Sequence, residues 1–148
     1  MGKLNLAADS NPDVCVWSDL KKEAAAYATK EVALSSLLHA TILDQDSLGG
    51  ALVNHLSEKL ATPDFSTLKL RKILTEAIQA DSTIVEYAAK DLLAVKDRDP
   101  ACTSFLQAFL YFKGFMAIQT YRAHMRFTKA GVICWHFTFR TEALSFLV

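Results

Sequence analysis

The stretch SLGGALVNHLSEKLATP, residues 47–63, carries the clearest helical pattern in the 148-residue chain. Its apolar or long-stemmed side chains recur every three or four residues, the spacing of one helix face. Those positions are Leu48, Ala51, Leu52, His55, Leu56, Lys59 and Leu60. Pro63 follows, and because proline has no amide hydrogen it stops a helix from continuing. The stretch therefore predicts a helix that ends before Pro63.

Comparable stripes on both sides of this stretch predict further helices. A first helix begins at Trp17, later stripes run through residues 34–42, 70–78 and 84–95, and a long apolar segment extends from about 103 to 127. Gly114 alone interrupts that last segment. No segment before residue 130 shows the strict alternation of a half-buried strand. The sequence thus predicts an all-α fold, a bundle of about six helices.

Two helix boundaries follow from particular residues. Asp81 opens a cap region in which Thr83 and Glu86 have the spacing of a capping box. Pro100 disfavours helical geometry for the residue before it, so the fifth helix is expected to end at KDRDP.

Composition excludes several classes of function. Lysine plus arginine equals aspartate plus glutamate at 16 each, which leaves no basic surface for nucleic acid or an anionic membrane. The most apolar run, residues 132–148, contains His136, Arg140 and Glu142, so we do not expect a transmembrane helix. Cys15, Cys102 and Cys134 are an odd number without a C-x-x-C pair, and no secretory signal pattern opens the chain, which favours the cytosol.

The four histidines give no metal-binding pattern. His39, His55, His124 and His136 are too dispersed for a ligand pair at i and i+4, so no metal site is expected. The chain also has neither a Walker A nor a G-x-G-x-x-G pattern, so no bound cofactor is expected. His39 and His55 fall on apolar helix stripes, where a hydrogen-bonded core or interface histidine is the usual explanation.

The densest charged cluster is Asp97, Arg98 and Asp99, at the expected end of the fifth helix. A carboxylate at a helix C-terminus is disfavoured by the helix dipole unless a cation answers it. Either Arg98 pairs with it locally, as at a solvated helix end, or the amine of a ligand does. The residues alone leave both interpretations open.

Five segments in order carry a resemblance to a known family. They are W17-x-x-L20, SSLLHATIL (35–43), SLGGALVNHLSEKLATP (47–63), KDRDPACTSF (96–105) and YFKGFMAIQTYR (111–122). Together they resemble the N-terminal helical domain of serine O-acetyltransferases, notably those of plants. On this basis we divide the chain into a flexible tail (1–13), the helical domain (14–127) and a divergent apolar tail (128–148).

The resemblance implies an enzyme of cysteine biosynthesis that acetylates the hydroxyl of L-serine, with acetyl-CoA as co-substrate. It also implies a second, C-terminal domain, a left-handed β-helix of hexapeptide repeats, which trimerises and whose trimers often pair through the helical domains. Asp99 matches the aspartate of the family's RDPA motif, which contributes to the serine-binding pocket. The family's catalytic residues lie in the β-helix, so no catalytic residue can be assigned in this chain.

The resemblance departs from the family near its end. Where the family has an arginine, two residues and a histidine, this chain has Arg122, Ala123 and His124, one residue fewer. The run VICWHFTFRTEALSFLV (132–148) matches nothing in the family, and we interpret it as alternative splicing or a gene-model error. The alternative is a docking segment anchored by Trp135 and Phe137.

Two functions follow from these observations. The first is a truncated serine acetyltransferase subunit in which Asp99 positions L-serine and which is inactive by itself. The second is a helical interaction module that forms homo-oligomers or mixed oligomers with full-length subunits. Acetyl-CoA-dependent thiol release with L-serine distinguishes the first, and assembly without turnover the second.

Overall fold

A computed structural model describes residues 12–129 of the chain, and side chains as far as residue 126. Within this range the fold consists of seven α-helices and one π-helical segment, with no strand, so the all-α prediction is confirmed. The elements are α1 (Pro12–Lys30), α2 (Val32–Leu38), the π segment (His39–Leu43), α3 (Leu48–Leu60), α4 (Thr67–Ala80), α5 (Thr83–Arg98), α6 (Phe105–Tyr111) and α7 (Lys113–Lys129). None of these helices is both long and apolar enough to cross a bilayer.

Helix α1 begins five residues earlier than the apolar stripe from Trp17 predicts. Its first residue is Pro12, whose fixed φ suits the first helical position, and Asp13 in the first turn complements the helix dipole. Of the predicted tails 1–13 and 128–148, the structure describes only residues 12–13 and 128–129, which are helical. The rest of both tails lies outside the described residues.

Helix α3 occupies the core, as the stretch that defines it predicts. Ser47 caps it by accepting a hydrogen bond from the Gly50 amide at 3.1 Å, and nine of its thirteen residues are buried. A Cβ added at Gly49 would lie 3.2 Å from a methyl carbon of Val85, so the glycine permits close approach of α3 and α5. His55 stacks on Phe109 of α6, with ring centroids 5.2 Å apart.

The single helix predicted over residues 103–127 is wrong, because the chain breaks into α6 and α7 at Phe112. Phe112 is extended, with φ −80° and ψ 103°, two residues before Gly114. The buried positions of α6 end at Leu110 and those of α7 resume at Phe115. A five-residue step does not stay on one face of a continuous α-helix, so the break lets both segments bury their aromatic side chains.

The predicted capping box at the start of α5 is also wrong. Thr83 is the first helical residue, and it donates through its amide and its hydroxyl to Asp81 Oδ1, at 3.1 and 2.6 Å. Glu86 pairs with Lys90 at 2.6 Å instead of reaching back to the helix start. A carboxylate is the stronger acceptor, so Asp81 takes the role expected of the threonine hydroxyl.

Candidate functional site

Asp99 lies where α5 ends, as the following proline predicts. Its backbone is extended, with φ −96° and ψ 107°, while its amide still donates to the carbonyl of Val95 at 2.9 Å. The residue therefore closes the last turn of the helix and turns the chain away from the helix axis. Its side chain is half-buried at the start of the loop that joins α5 to α6.

The loop from residue 99 to residue 104 is held by hydrogen bonds to its main chain. Asp99 Oδ1 accepts from the amide of Ala101 at 2.9 Å, and the Asp99 carbonyl accepts from the amide of Cys102 at 3.0 Å. Gln107 of α6 reaches back, donating to the Ala101 carbonyl at 3.2 Å and accepting from the Thr103 amide at 3.1 Å. These contacts fix the position of the Asp99 carboxylate.

Helix α1 anchors the far end of this loop through one carboxylate. Glu23 Oε2 accepts from the amide of Leu106 at 2.9 Å, in the first turn of α6. Its other oxygen, Oε1, lies 3.4 Å from Lys96 Nζ. The Lys96 ammonium also lies 3.8 Å from the centroid of the Phe105 ring. A carboxylate at a helix N-terminus is favourable, so this contact stabilises the start of α6 as well as its docking on α1.

The Asp99 carboxylate is not neutralised by its neighbours. No lysine, arginine or histidine in the described part of the chain forms an ion pair with it, and Arg98 does not reach it. Its second oxygen, Oδ2, accepts no hydrogen bond from a described residue. Of the two interpretations of the charged cluster, local pairing with Arg98 is therefore not observed. The carboxylate is available to a ligand cation.

A cavity of about 660 Å³, the Asp99 cavity, opens beside this carboxylate between α5 and the start of α7. Apolar side chains make up most of its wall, and its charged residues are Asp91, Arg98 and Asp99. The complete lining is Asp91, Ala94, Val95, Arg98, Asp99, Pro100, Phe112, Gly114, Phe115 and Ile118. This lining contains no serine, cysteine, lysine or histidine, so it offers recognition of a cation but neither a nucleophile nor an imidazole base.

A polar network closes one side of the cavity. Both oxygens of Asp91 accept from the guanidinium of Arg122, which is a bidentate pair, and Gln119 donates to Asp91 Oδ2 at 2.8 Å. Gln119 in turn accepts from Arg122 at 2.9 Å, and the guanidinium carbon lies 5.4 Å from the Tyr87 ring centroid. Asp91 is thus fully engaged, whereas Asp99 is not.

The sequence analysis missed most of this network and of the loop contacts. The signal that the sequence offers is the position of Asp91, a carboxylate within the apolar stripe of residues 84–95, where a charged side chain needs a partner. Its partners Gln119 and Arg122 are 28 and 31 residues away along the chain, so no local pattern connects them to it. Gln107 had no recognisable signal.

The histidines singled out in the sequence behave differently from one another. His39 is exposed and lies 3.1 Å from Asp44, so it is hydrogen-bonded but is not a core residue of the described chain, and its interpretation as an interface histidine stays a prediction. His55 is buried, as expected for a core histidine, and burial with a nearby Lys59 charge lowers its pKa to about 4. No group of three potential metal ligands occurs among the residues that the structure describes.

Comparison with known proteins identifies the family. The family model for the N-terminal region of serine acetyltransferases matches residues 16–120. The chain is 45% identical to the serine acetyltransferase of Haemophilus influenzae over 107 residues, which are 72% of this chain and 40% of that protein. It is 43% identical to mitochondrial serine acetyltransferase 3 of Arabidopsis thaliana over 115 residues, 77% of this chain and 29% of that one.

A solved structure shows the same fold. Soybean serine acetyltransferase complexed with serine superimposes with a TM-score of 0.89 and 31% identity, covering 96% of this chain and 58% of that one. The chain thus spans well under two thirds of the length of the relatives it matches. It belongs to the serine acetyltransferase family, within which it corresponds to the N-terminal helical region.

Proposed function

We propose that this chain is the helical, serine-recognising part of a serine acetyltransferase, in which Asp99 binds the α-amino group of L-serine. The observation that carries the proposal is the Asp99 carboxylate, which forms no ion pair with a described residue, in the wall of a cavity of about 660 Å³. An ammonium group answers such a carboxylate with a charge-assisted hydrogen bond. The soybean relative, with the same fold, is described as complexed with serine.

The reaction of the complete enzyme is the transfer of an acetyl group from acetyl-CoA to the hydroxyl of L-serine, a step towards cysteine. We propose that the 148-residue chain does not catalyse this transfer by itself. The Asp99 cavity holds neither a nucleophile nor an imidazole, and deprotonation of the serine hydroxyl requires a base within hydrogen-bond reach. Residues outside the Asp99 cavity would have to supply that base and the binding site for acetyl-CoA.

Binding and turnover can be measured separately on the full 148-residue chain. Binding is followed by amide chemical shifts on titration with L-serine, and turnover by thiol release from acetyl-CoA in the presence of L-serine. The test variant is Asp99→Asn, which keeps the size of the side chain and removes its charge. The matched control is Asp97→Asn, since Asp97 is exposed on the same helix and does not line the cavity.

We expect L-serine to shift the amides of residues 98, 99 and 101–103 in the wild type and in Asp97→Asn, but not in Asp99→Asn. Thiol release is expected in none of the three. Equal shifts in all three proteins would contradict the role of Asp99. Turnover by the wild type would contradict the proposed inactivity and leave serine recognition by Asp99 intact.

A second candidate function, assembly with other subunits, is favoured by an exposed apolar surface, the α2 face. It consists of Tyr27, Leu34, Leu37 and Tyr111, which line adjoining cavities at the surface. Tyr111 is 59% exposed, and contiguous apolar surface of this kind is typical of interfaces. We propose that this face mediates homo-oligomers or mixed oligomers with full-length subunits.

Light scattering coupled to size exclusion measures this assembly directly. We expect Leu34→Lys to reduce the mass of the oligomer, because it places a charge within the α2 face beside Tyr27 and Tyr111. Leu68→Lys is the control, since Leu68 is 77% exposed on α4 and lies outside that face. A monomeric wild type, or equal effects of both substitutions, would count against the assembly role.

The cytosol is the compartment that we propose for this chain, on the basis of its three cysteines without a C-x-x-C pair. The alternative compartment is the mitochondrion, because the Arabidopsis thaliana relative is named a mitochondrial enzyme. Cell fractionation with an antibody against the chain separates the two compartments.

A further inference from the structure

A second cavity, the His55 cavity, lies outside the Asp99 cavity and has a volume of about 610 Å³. Its wall is built by α2, the π segment, α3, the start of α4 and the end of α6. Helices from distant parts of the sequence converge here, which is typical of small-molecule sites in helical bundles. The residues that matter for its chemistry are Leu37, His55, Glu58, Lys59, Leu110 and Tyr111.

The π segment shapes one side of the His55 cavity. Its wide turn is closed by the Asp44 amide, which donates to the His39 carbonyl at 3.0 Å. The carbonyl of Ala40 accepts from two side-chain amides, Gln45 at 2.9 Å and Asn54 at 3.0 Å. Single π turns within helices are rare and occur frequently at functional sites.

The imidazole of His55 interacts with the backbone of Leu110, but its Nε2 atom has no hydrogen-bond partner among the described residues. The residue is only 5% exposed. Leaving a buried polar atom unsatisfied costs about 1 to 3 kcal/mol, so such an atom calls for an explanation in a folded protein. A ligand that completes its hydrogen bonding would supply one.

The charges around the cavity leave one cation unanswered. Glu58 lies 3.5 Å from Arg71, and Asp44 lies 3.1 Å from His39, so both carboxylates of the wall have partners. Lys59 forms no ion pair within the described part of the chain. Its ammonium is close enough to His55 to act on it electrostatically. The two cations and two carboxylates of the wall balance, and the Lys59 ammonium is the cation left without an ion-pair partner among the described residues, beside the imidazole of His55.

We propose that the His55 cavity binds a small monocarboxylate with an apolar body. The Lys59 ammonium pairs with the carboxylate, the His55 imidazole supplies a hydrogen bond, and Leu37, Leu110 and Tyr111 cover the apolar part. The carboxylates Asp44 and Glu58 in the same wall oppose a ligand with a second negative charge. The ligand is thus either a simple carboxylic acid or an apolar amino acid, whose ammonium would face those carboxylates.

Three probes of matched shape test the proposal on the full chain by amide chemical shifts. They are 4-methylpentanoate, which carries the carboxylate alone, L-leucine, which carries carboxylate and ammonium, and isopentylamine, which carries the amine alone. We expect saturable shifts in residues 40–59 with at least one of the two carboxylates and none with the amine. Stronger binding of L-leucine identifies an amino-acid site, and stronger binding of 4-methylpentanoate a site for a simple acid.

Substitutions locate the binding. We expect Lys59→Gln to weaken it about tenfold, the loss of one charged hydrogen bond, while Lys72→Gln, an exposed lysine of α4 outside the cavity, leaves it unchanged. His55→Leu is expected to weaken binding as well. The proposal is overturned if neither carboxylate gives a saturable shift up to its solubility limit, or if Lys59→Gln binds as the wild type does.

Discussion

Two regions of the bundle hold a polar group in different ways. Between α5 and α7, the carboxylate of Asp91 is answered completely by Arg122 and Gln119. On α3, the imidazole of His55 is buried against the ring of Phe109, and its Nε2 has no hydrogen-bond partner among the described residues. The Asp91 carboxylate stabilises the contact between α5 and α7. The His55 imidazole, in contrast, is buried among side chains whose apolar contacts provide the stability of that region. Burial of a polar group therefore does not by itself reveal what it contributes.

The difference predicts opposite responses to removal of each group, and the largest effect is expected at Asp91. Asp91→Ala removes the carboxylate to which both Gln119 and Arg122 donate, so the fully buried Gln119 amide group loses its acceptor and Arg122 keeps only Gln119. This is expected to lower the free energy of unfolding by about 3 kcal/mol. Urea denaturation followed by circular dichroism measures this. Asp97→Ala, at an exposed position of the same helix, is the control and should change stability by at most about 0.5 kcal/mol. Equal losses would show that the network contributes nothing specific.

The second expected effect is sensitivity to acid in the α3 region. The pKa of His55 is lowered from 6.5 to about 4 in the folded chain, so the unfolded chain takes up a proton that the folded chain resists. The free energy of unfolding is therefore highest above pH 6.5, where His55 is neutral in both the folded and the unfolded chain. It falls as the pH decreases from 6.5 towards 4, because only the unfolded chain is protonated at His55 in this range. We expect a loss of about 2 to 3 kcal/mol across that window. Urea denaturation at successive pH values checks it, and the response must be compared with that of a chain without His55.

His55→Leu supplies that comparison and a smaller effect of its own. Leucine removes an unsatisfied polar atom but also the ring that stacks on Phe109, so at pH 7 stability should change by no more than about 1 kcal/mol. The loss of stability between pH 6.5 and 4 should shrink in this variant. If the variant retains the full acid sensitivity of the wild type, the sensitivity originates elsewhere.

The smallest effects are expected at two glycines, one in each region. Gly49→Ala places a methyl group 3.2 Å from Val85 in the tightly packed contact between α3 and α5, and should lower stability by about 0.5 kcal/mol despite the better helix propensity. Gly114→Ala, in the first turn of α7, places a methyl group more than 4 Å from every described residue outside its own helix turn and should raise stability by about 0.5 kcal/mol. Thermal denaturation of both variants measures the pair. If both substitutions changed stability in the same direction, the proposed difference in packing around Gly49 and Gly114 would be contradicted.

Local patterns account for most of the helices but not for their exact ends. The 47–63 stretch predicted α3 because its spacing, its cap and its stop are all local. The break at Phe112 was missed because the apolar positions 105, 109, 112 and 116 also fit one continuous helix. Which aromatic side chains are buried in the core decides whether this segment forms one continuous helix or two helices with a break at Phe112.

The candidate site also contains residues that the sequence identifies and contacts that only the folded structure shows. Asp99 was identifiable from the RDPA motif, and the structure adds that its carboxylate is unpaired beside a cavity. The role of Gln107 in holding the loop, and the partners of Asp91, depend on side chains that meet through folding. No spacing along the chain connects residue 91 with residues 119 and 122.

The family could be recognised from the order of five sequence segments, and the helical class, the end of α5 before Pro100 and the aspartate at that end follow from residues within a few turns of one another. Packing of the helices established that Asp91 is neutralised, and that among the described residues Asp99 and Lys59 form no ion pair and His55 Nε2 has no partner. The state of a charge depends on which groups surround it after packing. Helices distant along the chain supply those groups.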